Sequence, residues 1–179
     1  MKKDIISGLA YIVPLETLRT TPLVQFHDLP ASLVSTISAI DRVAHDAGAR
    51  SPMSREHPDA HPWYMHTHQE DNLLVLSGMR IVELYTPAHG MLESFEVSPT
   101  QIVHGGVVIA EGPSILGWGV GVFHRVFSPQ GSVSMNFARH MPGFDFTTNF
   151  NIYSLETETG AYSVLRAGMS DQPERDVGE

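Results

Sequence analysis

The stretch WYMHTHQEDNLLVLSG, residues 63–78, places two histidines one residue apart, then an acidic cluster, then an apolar run that ends in glycine. On a β-strand, side chains two residues apart lie on the same face, so His66 and His68 are expected to project together while Met65 and Thr67 point the other way. Two imidazoles on one face can bind one metal ion, although such a pair also occurs simply as two half-exposed polar residues of a strand. The stretch therefore predicts a strand with a candidate site.

Composition limits the chemistry that is open to this chain. It has 179 residues, 42% of them hydrophobic, which predicts one domain with a sizeable core. The formal net charge of -9 comes from 20 acidic against 11 basic residues, and no basic run is present, so a nucleic-acid partner is not expected. Cysteine is absent and histidine occurs ten times, which excludes thiolate chemistry and leaves nitrogen and oxygen metal ligands open.

The first 16 residues, MKKDIISGLAYIVPLE, start with lysines and an apolar stretch, as a secretory signal peptide does. Asp4, Gly8 and Pro14 interrupt that stretch and no small-residue cleavage site follows, so we expect an N-terminal strand instead. No segment reaches the roughly 18 apolar residues of a transmembrane helix. We expect a soluble, cytoplasmic protein without a membrane partner.

Residues 28–48 carry apolar side chains at three- and four-residue spacing, namely Leu33, Ile37, Ile40 and Val43. With Asp28 as a cap and Gly48 as a stop, this spacing predicts one amphipathic helix. The polar residues 50–60, which include two prolines, predict a loop.

Beyond residue 60, short segments rich in Val, Ile, Phe and Tyr alternate with glycine and proline, as in an all-β barrel or sandwich. Residues 150–165, FNIYSLETETGAYSVL, predict a hairpin that turns at ETETG. We expect one structural domain with three parts. These are an N-terminal strand, helix and loop over 1–60, a β-barrel over 61–168 and a polar tail over 169–179.

Two motifs carry a resemblance to a known family. HTHQEDNLLVLSG, residues 66–78, resembles the first conserved motif of the cupin family, G-x5-H-x-H-x3-4-E-x6-G, whose histidines and glutamate bind a metal. Counting back from Gly78 by that spacing reaches Asp71. WGVGVFHRVFS, residues 118–128, resembles the second motif, G-x5-P-x-G-x2-H-x3-N, because Gly121 and His124 keep the G-x2-H spacing. His124 is thereby nominated as the third imidazole.

The chain departs from both motifs. Ala60 replaces the opening glycine of the first motif, and Gly119 and Ser128 replace the proline and the asparagine of the second. The acidic residue is an aspartate and stands one residue early.

Several side chains therefore compete for the place of the acidic ligand. Asp71 fits the spacing to the closing glycine, and Glu70 shares the strand parity of the histidines. Asn72 fits the spacing from His68, and Gln69 is near enough if the strand bulges.

The resemblance implies a cupin-type β-barrel, also called a double-stranded β-helix or jelly roll, with an N-terminal helix. It also implies one divalent metal ion (Fe, Ni, Mn, Zn or Cu) on His66, His68, Asp71 and His124, with coordination positions left open for a substrate. Tyr64 and Glu70, both on the parity of the histidines, are the catalytic candidates. Arg125 has the opposite parity to His124 and is expected to pair with carboxylates on the outer surface.

The family resemblance predicts action on a small molecule inside the barrel, without separating oxygenase, isomerase or epimerase, lyase and cyclase chemistry. Two alternatives stay open. One is a binding or sensor protein without turnover. The other is a metal-free sugar-modifying cupin in which His68 or His124, paired with a carboxylate such as Asp71, acts as a general base. Cupins commonly pair through barrel edges or exchanged N-terminal strands, so we also expect a homodimer.

Overall fold

The computed structural model describes residues 1–53 and 61–171 and is built almost entirely of strands. In chain order the strands of the described residues are β1 (Lys3–Ile6), β2 (Ala10–Pro14), β3 (Glu16–Thr21), β4 (Val24–Asp28), β5 (Ala39–His45), β6 (Ala49–Ser51), β7 (Trp63–Met65), β8 (Gln69–Gly78), β9 (Arg80–Tyr85), β10 (Glu93–Val97), β11 (Gln101–His104), β12 (Val107–Glu111), β13 (Ser114–Trp118), β14 (Phe123–Ser128), β15 (Ser132–His140), β16 (Ile152–Leu155) and β17 (Tyr162–Arg166). A short helix, α1 (Ala31–Val34), and a 3-10 turn (Gly168–Asp171) complete them. The prediction of an all-β chain is confirmed.

Two antiparallel sheets pack face to face. One has the order β1-β2-β13-β8-β15-β5, and the other has the order β12-β11-β10-β9-β14-β7-β16-β17 with β6 beside β14. The sheets do not close on each other, so the expected closed barrel is corrected to a sandwich over the described residues. Within the described part of the chain, β1 and β5 are the edge strands of the first sheet.

The core lies between the sheets and follows from strand alternation. In β9, Val82 and Leu84 are fully buried while Ile81 and Glu83 on the other face are only half-buried. Side chains from both sheets join them in one cluster, which includes Leu73, Phe95, Leu116 and Trp118. Each such burial stabilises the fold by about 1.5–3 kcal/mol, so the packing holds the sheets at a fixed separation.

The predicted helix over residues 28–48 is wrong. Only α1, one helical turn, forms there, and β5 then pairs with β15 along its whole length, from Ala39 opposite Ala138 to His45 opposite Ser132. The helical spacing fails at Ile40, which is 57% exposed. Hydrogen bonds from β15 satisfy the backbone of this β-branched segment, and such tertiary pairing overrides a weak local pattern.

Other expectations fall partly within the described residues. The segment predicted as a loop, residues 50–60, begins inside β6, and its residues 54–60 lie outside the described part of the chain. The predicted hairpin is confirmed, since β16 and β17 pair antiparallel. Residues 172–179 of the expected tail are also outside the description. Among the described residues, no helix has the length and apolar character needed to cross a membrane.

Candidate functional site

A cavity of about 320 Å³ opens between the two sheets. Inward-facing residues of β8, β15 and β5 line one wall, and residues of β7, β14 and β9 line the other. Phe150, from the connection between β15 and β16, closes part of it. Two groups can be distinguished among the polar side chains that line this cavity.

The first polar group consists of His66, Asp71 and His124, all of them buried. The Nε2 atom of His66 lies 3.2 Å from Oδ2 of Asp71, and the Nε2 atom of His124 lies 3.6 Å from the same oxygen. The two imidazole rings stand 4.8 Å apart, centroid to centroid. Strands from both sheets thus converge on one carboxylate, because β8 supplies Asp71 and β14 supplies His124.

These groups drive the acidities of the two histidines in opposite directions. Burial by itself lowers the pKa of His66, but the charge of Asp71 and hydrogen bonds to Asp71 and to the Asn149 carbonyl outweigh burial and raise it. Burial, together with the charge of His66, lowers the pKa of His124 to about 4. Burial also opposes ionisation of Asp71, but the adjacent histidines hold the pKa of that carboxyl well below its usual range. The environment accordingly favours a proton on His66, beside the carboxylate of Asp71, and opposes one on His124.

Hydrogen bonds fix both tautomers. Nδ1 of His66 donates to the carbonyl of Asn149 at 2.6 Å, and Nδ1 of His124 donates to the carbonyl of Val122 at 3.1 Å. With Nδ1 carrying the proton, the neutral His124 keeps a lone pair on Nε2, the atom that faces the cavity group.

Neutral amides hold the carboxylate. Oδ1 of Asp71 accepts hydrogen bonds from Gln69 at 2.7 Å and from Asn136 at 2.8 Å. Oδ2 is left for the histidines. Because donors surround the carboxylate, it can stay charged while buried, and it orients His66.

His68 does not join the group, contrary to the predicted ligand set. Its Nδ1 lies 2.9 Å from the hydroxyl of Thr67, and its ring packs beside Gly143, away from Asp71. The physical reason is that β7 ends at Met65 and β8 begins at Gln69, so residues 66–68 are not in a strand and the two-residue parity does not hold.

The remaining candidate residues point in different directions. Glu70 faces away from the cavity and accepts a hydrogen bond from Arg139 at 3.2 Å, whereas Gln69 and Asp71 face inward. Tyr64 borders the cavity, with its ring centroid 5.8 Å from that of His124. Asn72 points to the opposite side of β8, where its Oδ1 accepts a hydrogen bond from Tyr11 at 2.9 Å.

Arg125 lies on the outer face of its sheet. Its guanidinium pairs with Glu83 on the neighbouring strand and lies over the ring of Trp63. The outward orientation expected from strand parity is therefore found.

The second polar group was missed by the sequence analysis. It contains Arg80, at the start of β9, together with the cavity-lining Ser134 and His45. Strand alternation could have predicted the inward position of Arg80. In RIVELY, Arg80 lies two residues before Val82 and four before Leu84, so it shares their buried face.

Comparisons with known proteins match the fold but not the sequence. No family model and no curated protein sequence matches the chain. Among solved structures, the sugar 3,4-ketoisomerase QdtA from Thermoanaerobacterium thermosaccharolyticum is similar with a TM-score of 0.54 and 12% identity, covering 79% of this chain and 85% of that one. The rmlC epimerase of Mycobacterium tuberculosis has a TM-score of 0.54 and 11% identity, over 77% and 66% of the two chains. The 4-keto-6-deoxy sugar epimerase NovW of Streptomyces spheroides has a TM-score of 0.55 and 11% identity, over 81% and 69%.

The chain shares the fold of these sugar epimerases and ketoisomerases. They belong to the cupin superfamily, so the resemblance seen in the two histidine motifs leads to the same fold.

The expected divalent metal cofactor is wrong. The sugar epimerases and ketoisomerases that are similar in fold act without a metal ion. Ligand atoms of His66, Asp71 and His124 do lie within 4.8 Å of one another. His66 and Asp71 nevertheless satisfy each other as an ion pair, and His68, the remaining imidazole of the predicted set, lies outside the cavity group.

Proposed function

We propose that this chain is a metal-independent isomerase or epimerase that moves a proton at a carbon next to a sugar carbonyl. One observation carries the proposal: two histidines with pKa values driven apart stand side by side in a cavity. A pair of titratable groups in such opposed environments is the usual arrangement of an acid and a base in one active site.

His124 is the proposed general base. A pKa of about 4 leaves it neutral at pH 7, and because Nδ1 carries the proton that is donated to Val122, Nε2 keeps its lone pair. In the first step the C–H bond next to the carbonyl breaks, and the proton passes to Nε2 of His124. The electron pair of that bond moves toward the carbonyl oxygen and forms an enolate.

His66 is the proposed general acid. Its proton on Nε2, held by Asp71, can pass to the developing enolate oxygen, giving a neutral enol. In an isomerisation, His124 returns its proton to the former carbonyl carbon, and the hydroxyl on the neighbouring carbon gives its proton to the now neutral His66 and becomes the new carbonyl. In an epimerisation, a solvent proton adds to the other face of the same carbon, the enol hydroxyl returns its proton to His66, and His124 releases its proton to solvent. Asp71 then acts as a positioning residue that keeps His66 charged, and Tyr64 borders the place of the reacting carbons.

A binding protein without turnover is the rival class. The polar side chains on the cavity wall, with an acid and a base among them, favour an enzyme over a protein that binds an apolar ligand. A volume of about 320 Å³ suits one sugar ring and leaves any group attached to that ring outside.

Solvent hydrogen exchange tests the proposal directly. The protein is incubated in D2O with TDP-4-keto-6-deoxyglucose, the ligand named for one QdtA structure, and with unlinked 3- and 4-keto sugars, and NMR follows the C–H signals. We expect deuterium at a carbon next to the carbonyl of at least one compound. His124→Gln should slow this exchange at least about 100-fold, since a positioned base contributes 10²–10⁴-fold.

His68→Gln is the matched control, because it removes a neighbouring imidazole that does not contact Asp71. It should leave the exchange rate within about twofold of the parent, and EDTA should leave it unchanged. Loss of exchange on chelation would contradict a metal-independent reaction, and loss in both variants would contradict the assignment of the base. Absence of exchange with every compound would favour the binding protein.

A further inference from the structure

We propose that the second polar group of the cavity, centred on Arg80 and Ser134, is a carboxylate-binding subsite, and that the ligand of this protein is a sugar acid. Binding at this subsite needs no turnover. Only the statement that the reacting carbons lie at His66 and His124 rests on the proposed function.

Arg80 is a buried cation that borders the cavity, 3% exposed. Its Nε donates to the hydroxyl of Ser132 at 2.9 Å and one terminal nitrogen donates to the carbonyl of Val43 at 3.1 Å. These bonds use two of the five N–H groups of a guanidinium. No carboxylate of the described residues forms an ion pair with Arg80. Burial lowers its pKa to about 10, which still leaves it charged at neutral pH.

Ser134 gives an independent indication of a ligand. It is fully buried on β15, borders the same cavity, and its hydroxyl has no hydrogen-bond partner within the described parts of the chain. A buried polar group without a partner costs free energy, so natural cavities place such groups where a ligand or water binds. Ser134 pairs with Val43 in the β15–β5 ladder, and the carbonyl of Val43 accepts a hydrogen bond from Arg80, so Ser134 and the guanidinium lie close to the same residue. One carboxylate can therefore reach both side chains.

The remaining groups around Arg80 are neutral. The hydroxyls of Ser128 and Ser132 lie 2.9 Å apart, and Nδ1 of His45 lies 3.0 Å from the hydroxyl of Ser128. Burial, together with the charge of Arg80, lowers the pKa of His45 to about 4, so this ring is uncharged at neutral pH. A single positive charge matches a carboxylate, whereas a phosphate dianion would bring a second negative charge into a buried site without a counter-charge.

The register of the strands gives the distance between the two polar groups. Ile81 pairs with Phe127, so Arg80 lies at the level of Ser128 on β14, four residues from His124. Four residues of strand span about 13 Å. A ligand held by its carboxylate at Arg80 therefore extends along the cavity toward His124.

Calorimetric titration with matched ligands tests the subsite. Glucuronate carries the carboxylate, and glucuronamide has nearly the same shape without the charge. We expect the parent protein to bind glucuronate about 10- to 100-fold more tightly, the range of a charge-assisted hydrogen-bonded pair. Arg80→Met should abolish this preference, and Arg42→Met, which removes an exposed cation of β5, should preserve it.

Ser134→Ala keeps the test decisive if Arg80→Met does not fold, because a hydroxyl without a partner can be removed at no cost in hydrogen bonds. We expect this variant to bind glucuronate about three- to tenfold more weakly than the parent and to bind glucuronamide with unchanged affinity. Equal binding of the two ligands by the parent would overturn the subsite, and so would tighter binding of glucose 6-phosphate than of glucuronate. A glucuronate preference retained in His124→Gln, with hydrogen exchange absent in the parent, would support the subsite and reject only the proposed reaction.

Discussion

At the scale of single residues, His66 and His124 are the same type of side chain, but their surroundings shift their pKa values in opposite directions. Their intrinsic acidities are the same, and both are buried. Each ring donates to one backbone carbonyl, but His66 lies nearer to the Asp71 carboxylate, 3.2 Å against 3.6 Å, and forms a hydrogen bond with it. The charge of Asp71 therefore favours protonation of His66, and the charge of His66 then opposes protonation of His124.

The lowered pKa of His124 makes the stability of the fold depend on pH. The unfolded state takes up a proton on this residue below about pH 6.5, and the folded state does so only below about pH 4, so stability falls as the pH falls through this window. Between pH 7 and pH 5 the contribution of His124 should amount to a loss of about 2 kcal/mol in the free energy of unfolding. Urea denaturation at both pH values should therefore give a smaller loss for His124→Gln than for the parent. Identical losses in the two proteins would contradict a neutral His124.

At the scale of secondary-structure elements, the turn between β8 and β9 sets the position of both polar groups. β8 carries Asp71 and β9 begins with Arg80, so the backbone at Gly78 determines the register between them. Gly78 has a φ of 71°, and a Cβ atom there would lie 2.1 Å from the carbonyl oxygen of Gly131. A positive φ together with this close backbone approach requires glycine.

Gly78→Ala should therefore destabilise the fold far more than a comparable change elsewhere. Gly90 is the matched control, since its φ is 75° and a Cβ atom there would meet nothing within 4 Å. Gly90→Ala should cost about 1–2 kcal/mol for the left-handed conformation alone. Gly78→Ala should cost about 2 kcal/mol more, because the clash is with backbone that cannot rotate away. Equal midpoints of urea denaturation for the two variants would show that the β8–β9 turn adjusts freely.

At the scale of the whole molecule, the hairpin of β3 and β4 is set apart from the sandwich. These strands pair with each other and, among the described strands, with neither of the larger sheets. The hairpin exposes Leu18, Leu23, Val24 and Phe26. A two-stranded ribbon is marginally stable by itself, so an exposed apolar face on one indicates a covering surface.

We predict that a second copy of the chain covers this hairpin, in line with the homodimer expected from the sequence. Light scattering at micromolar concentration should give twice the mass of the chain, and Phe26→Asp should give a monomer because it places a charge in the apolar face. Val107→Asp is the control, since Val107 is also an exposed apolar residue and lies on β12, the edge strand of the nine-stranded sheet. A parent that is monomeric, or a Val107→Asp variant that dissociates as readily, would contradict a dimer through the hairpin.

The sequence by itself determined the all-β class, because strand alternation and turn residues are local properties, and the two cupin-like motifs nominated His66 and His124. It did not determine that residues 39–45 form a strand, since the hydrogen bonds that decide this come from β15, which is distant in the chain. The places of His68 and Glu70 were also decided by tertiary structure, because a break between β7 and β8 cancels the parity on which the prediction relied. Only the packing of two sheets brings Arg80 and Ser134 to the same cavity as His124, and no spacing within one strand encodes a distance between strands.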